Sequence, residues 1–104
     1  MTKKESRELI NNIEKIAKRS KHIKVEGIAR WFGRYRIDVR VSRENTSVVK
    51  ELYSYLSSVC PFIDDERNRG ENEYPSIWFY SYDDSILNDF NEDEYYFKVN
   101  VMLW

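Results

Sequence analysis

The sequence predicts an α+β fold: two amphipathic helices on one face of a four-stranded antiparallel sheet, in the order α-β-β-α-β-β. Three observations carry this. Apolar residues recur at the helical period in two segments. In four others the period switches to two, as in strands with one buried face. With 3 Gly and 2 Pro in 104 residues, little chain is left for long structureless connections. The chain reads as one compact domain over residues 1–104.

The first helix is expected over residues 3–20. Thr2-Lys3-Lys4-Glu5 fits a capping box, in which Thr2 and Glu5 satisfy each other's free backbone N–H groups. Leu9, Ile10, Ile13, Ile16 and Ala17 form its apolar stripe. Arg19, Lys21 and His22 follow, where cations suit the negative end of the helix dipole.

A hairpin comes next. Ile23, Val25, Gly27 and Ala29 alternate with Lys24, Glu26, Ile28 and Arg30; beyond a turn at Phe32-Gly33-Arg34, Tyr35, Ile37, Val39 and Val41 alternate with Arg36, Asp38, Arg40 and Ser42. Asn45 or Thr46 caps the second helix, whose stripe is Val48, Val49, Leu52, Leu56 and Val59. Pro61 stops it, because proline has no N–H to donate. Residues 64–75 read as a polar loop, and 77–82 and 95–104 as the last two strands. Moving the first strand of a ferredoxin-like βαββαβ domain to the end gives this order, so a permuted ferredoxin-like topology is the expectation.

The net charge of −1 conceals a polarity. Residues 1–50 hold 14 Lys and Arg against 6 Asp and Glu, whereas residues 51–104 hold 3 against 12. Such asymmetry points to partners and is silent about fold. No apolar run approaches the ~20 residues needed to cross a bilayer, and the first residues lack the apolar core of a secretory signal. Cys60 is the single cysteine and cannot form an internal disulfide, so a cytoplasmic setting is expected.

The acidic half is densest at "DDSILNDFNEDE", residues 83–94, with six carboxylates. Its twelve positions match the length of an EF-hand loop. However, Leu87 stands where an oxygen ligand is needed and Asn88 where glycine makes the turn, so no calcium site is expected. Ile86, Leu87 and Phe90 would pin one side of a short helical turn to the core, leaving the carboxylates to water. As a plain solvated connection this needs no function. As a fixed acidic array, Asp83, Asp84, Asp89, Glu92, Asp93 and Glu94, joined by Asp64, Asp65, Glu66, Glu71 and Glu73, would imitate nucleic-acid phosphates before a basic protein.

The basic half offers the alternative. Arg30, Arg34, Arg36 and Arg40 line the polar side of the hairpin, and Trp78, Tyr80, Tyr82, Tyr96 and Lys98 share one parity of the last strands. Together they would stack bases and meet phosphates, the chemistry of single-strand platforms. The Gly-bounded aromatic signature of the RRM is absent. The competing reading sends Trp78 and Tyr80 into the core and Ile77 and Phe79 outward, since a one-residue slip exchanges the faces.

Enzyme chemistry has little support. There is one His and one Cys, no Gly-rich phosphate loop and no zinc spacing, so neither a catalytic residue nor a cofactor or metal is expected. The leading expectation is a non-enzymatic inhibitor whose acidic loops occupy a basic nucleic-acid-binding site on a protein, such as a nuclease or effector. In type it is similar to phage-encoded inhibitors of host defence, such as anti-CRISPR proteins, and to toxin-immunity proteins. The alternatives are a nucleic-acid-binding module using the sheet, and a homodimer pairing basic with acidic halves.

Overall fold

A computed structural model describes residues 1–31, 34–42, 47–66, 75–83 and 95–103. Helix α1 spans Lys3–Lys18 and opens with the expected capping box. The Glu5 N–H donates to Thr2 Oγ1 and the Thr2 N–H donates to Glu5 Oε1, each at 3.1 Å. That backbone donor holds the Glu5 carboxyl below its ordinary pKa. Leu9, Ile13 and Ile16 are buried at helical spacing. Helix α2, Ser47–Val59, buries Val49, Leu52 and Leu56 and ends two residues before Pro61. Asn12 Nδ2 donates to the Tyr55 hydroxyl at 3.1 Å, tying α1 to α2. The hairpin turn at Phe32-Gly33 and the capping position Asn45 or Thr46 lie outside the described residues.

The class is α+β as expected, but the sheet differs from the expectation in strand number, order and direction. Among the described residues it has five strands: β1 Ile23–Trp31, β2 Arg34–Val41, β3 Phe62–Asp65, β4 Ser76–Tyr80 and β5 Tyr96–Leu103. Their order is β1-β2-β5-β4-β3. The added strand, β3, overlaps the expected polar loop at Asp64 and Asp65 and begins two residues before it. It reverses the chain once more, so β5 returns antiparallel to β4 and parallel to β2. The sheet is therefore mixed, and a permuted ferredoxin-like antiparallel sheet does not describe it. By the same pairings β2 and β3 run in one direction, and α2 is the crossover that parallel strands require.

One face of this sheet carries the core. Tyr35, Ile37, Val39 and Val41 from β2, Phe97, Val99 and Val101 from β5, and Ile77 and Phe79 from β4 are all buried against the two helices. Tyr35 stacks on Phe97 at 4.8 Å between ring centroids. Ile77 and Phe79 thus point inward and Trp78 and Tyr80 do not, which overturns the competing parity.

A bulge in β1 makes a second correction. The pairing with β2 shifts between Val25 and Gly27, leaving Glu26 without an opposite residue. Before the shift Lys24 faces Arg40; after it Ile28 faces Ile37 and Arg30 faces Tyr35. Directly opposed residues share a face, so Arg30 belongs to the helix side, away from Arg36 and Arg40. Ile28, turned to that side opposite Ile37, remains 44% exposed.

Candidate binding face on the open side of the sheet

The two described helices leave the other face of the sheet uncovered. Register places its side chains in rows. Arg36 of β2 lies beside Lys98 of β5, then Tyr80 of β4 and Phe62 of β3. The adjacent row runs Asp38, Asn100, Trp78 and Asp64. Arg34 pairs with Tyr96, and Arg40 with Met102. Residues far apart in the chain meet here because β5 sits in the middle of the sheet.

The aromatic rings form a continuous ladder. Trp78 stacks on Tyr80 with centroids 6.2 Å apart. Tyr80 meets Tyr82 edge-on at 5.7 Å, and Tyr82 meets Tyr96 edge-on at 5.3 Å. These rings are half-buried, so each keeps surface for a ligand. Cations are drawn to the first ring: Arg36 Cζ lies 5.1 Å and Lys98 Nζ 5.4 Å from the Trp78 ring centroid. Such cation–π contacts fix long side chains that would otherwise wander.

Two carboxylates order the arginines. Arg36 Nε donates to Asp38 Oδ1 at 3.0 Å, and Arg40 Nε donates to Glu26 Oε1 at 3.0 Å. At 40% and 38% side-chain exposure both arginines remain open to solvent, so the pairs orient them and add little stability. Among the described residues the face holds the cations Lys24, Arg34, Arg36, Arg40 and Lys98 against Glu26, Asp38 and Asp64. A cleft of about 350 Å³, lined by Lys21, His22, Lys24, Arg40 and Ser42, extends the positive region past the end of β2.

Of the basic and aromatic residues singled out from the sequence, Arg34, Arg36, Arg40, Tyr96 and Lys98 gather on this face, and Arg30 does not. Of the acidic set, Asp64 and Asp65 lie on β3, Glu66 directly follows it and Asp83 follows β4. Glu71, Glu73, Asp84, Asp89, Glu92, Asp93 and Glu94 lie outside the described residues, as does the expected turn of Ile86, Leu87 and Phe90. Phe62 and Ile63 escaped the sequence reading because their strand did; they are 41% and 51% exposed.

Cys60 is fully buried, and burial pushes its thiol up to about 12. It is held protonated at neutral pH, where a nucleophile would need the thiolate. Among the described residues no three His, Cys, Asp or Glu side chains converge on a metal position. No described helix is long and apolar enough to cross a membrane. Comparison with protein-family models, with curated proteins and with solved structures returns no match.

Proposed function

We propose that this protein binds single-stranded nucleic acid on the open face of its sheet. The observation that supports the reading best is the ladder Trp78–Tyr80–Tyr82–Tyr96 running beside Arg34, Arg36 and Lys98 on a face that neither described helix covers. Each ring offers a π surface to a base, and the cations offer partners to the phosphates between bases. Duplexes fit this arrangement poorly, because their bases are stacked inside and cannot lie on a flat aromatic surface.

The test is fluorescence anisotropy of labelled single-stranded RNA and DNA across a range of salt. Affinity falls as salt rises, by a logarithmic slope of about 0.7 per phosphate neutralised on a single strand. Replacing Arg36 and Arg40 together by Ala lowers that slope by about one. Absence of binding at low salt rejects the proposal, and an unchanged slope removes these two arginines from the interface.

One observation favours a second reading. Phe62 and Ile63, exposed on the edge strand β3, stand directly beside Asp64 and Asp65. Apolar anchors rimmed by carboxylates suit a basic protein surface. On this reading the protein is an inhibitor whose acidic segments occupy the nucleic-acid site of a nuclease or effector. It would displace nucleic acid from such a partner at low salt, and changing Asp64, Asp65, Asp89, Glu92, Asp93 and Glu94 to their amides would abolish the displacement. Displacement that survives those changes rejects the acidic surface.

A further inference from the structure

Asn100 sits at the centre of the open face, between Asp38 and Trp78 in register. Only 7% of it is exposed, although neither described helix packs on this face. Beside it, Arg36 and Lys98 lie over the adjoining Trp78 ring. Asn100 Oδ1 is shut off from water and finds no hydrogen-bond partner among the described residues. A buried amide oxygen without a donor destabilises the fold, and an apolar side chain of similar shape removes that cost. Packing alone would favour a residue such as Leu at this position. The amide is equipped for a donor that comes from outside.

We infer that Asn100 and Trp78 form a subsite for one nucleobase whose Watson–Crick edge sets an exocyclic amine beside a ring-nitrogen acceptor, adenine or cytosine. This rests on the single-strand reading above. The base stacks on Trp78 and displaces the heads of Arg36 and Lys98, which turn to the flanking phosphates. The uncovered Oδ1 accepts from the exocyclic amine. Nδ2 donates to the neighbouring ring nitrogen, N1 or N7 of adenine or N3 of cytosine. This is the paired donor and acceptor match that an Asn side chain makes with the edge of adenine. Thymine and uracil place a carbonyl oxygen where the amine would be, setting two acceptors against each other.

Labelled decamers of dA, dC and dT, titrated with the native protein and with Asn100→Leu, test this. The native protein prefers dA or dC to dT by on the order of tenfold, the discrimination expected of one good amide–base pair. Asn100→Leu binds dT as the native protein does and brings the ratio close to one. Its urea midpoint is equal to or above that of the native protein. Asn100→Ala gives the same change in ratio should leucine not be accommodated. A ratio unchanged in both variants overturns the subsite and leaves the binding face standing. Failure of every decamer to bind overturns both.

Discussion

On the proposed function, replacing Trp78 with Ala should lower the affinity for single-stranded oligonucleotides by about ten- to a hundredfold while leaving the fold intact. Stacking of a base on an aromatic ring contributes about 1–3 kcal/mol, and each ~1.4 kcal/mol is a factor of ten in affinity. Trp78 is the ring on which the effect concentrates. It starts the ladder through Tyr80 and anchors Arg36 and Lys98. Its removal therefore takes away a stacking surface and loosens two cations together. The fold survives because Trp78 is half-buried on the open side and belongs to no part of the core. Trp78→Phe keeps a ring and recovers most of the affinity. Anisotropy titrations of the three proteins, with far-UV circular dichroism to confirm the fold, read this directly. Equal affinity in Trp78→Ala would eliminate the ladder as the binding surface.

Phe97→Ala acts on the opposite side of the same sheet and destabilises the fold by about 3–5 kcal/mol, as large-to-small changes at buried aromatics do. Phe97 is on the central strand, has no exposed surface and lies nearly parallel to Tyr35, with 7° between the ring planes. Tyr35 also stacks on Tyr95, so the loss of Phe97 takes one partner from a ring that is stacked on two. Against a total stability of about 5–15 kcal/mol for a domain of ordinary size, the change removes a large share. Urea unfolding should show a lowered midpoint with an unchanged slope. A loss below about 1 kcal/mol would mean that the core closes over the site, contrary to its packing. The two substitutions lie three positions apart in the register, since Trp78 faces Asn100 and Phe97 comes three residues before it on β5, on the other side of the sheet. One is expected to cost binding without stability, and the other stability first.

The elements with strong local signals were legible in the sequence. Thr2 and Glu5 announced α1, and Leu52 and Leu56 marked the buried side of α2. The strand β3 was not legible, because an edge strand of four residues with exposed Phe62 and Ile63 and two Asp has no buried alternation to display. The bulge was masked by the regular look of Ile23, Val25, Gly27 and Ala29. Its available signals were Gly27 inside a strand and Ile28 in the polar register. Parity in β4 was undecidable locally, since Ile77, Trp78, Phe79 and Tyr80 are apolar or aromatic throughout. Only pairing with Lys98 and Asn100 settles which side is which. The candidate binding face was legible as a set of residue types and not as a place, because long-range register assembles it. The parallel junction of β2 and β5 leaves no local trace at all.

That junction has a consequence for how the chain is made. Every pair in it is 62 residues apart, as Arg34 and Tyr96 are. At a synthesis rate of about 5–20 residues per second, β2 waits roughly 3–12 s for its partner. The β1–β2 hairpin closes in microseconds once both strands exist. The strand that completes the middle of the sheet is thus the last of the five to be synthesised. Throughout that interval one edge of β2 stands open, and open edges recruit strands from other chains. Arg34, Arg36 and Arg40, spaced along that strand, put a charge at every second or fourth position and discourage such pairing. The cations of the proposed binding face would thus also guard the nascent chain against aggregation.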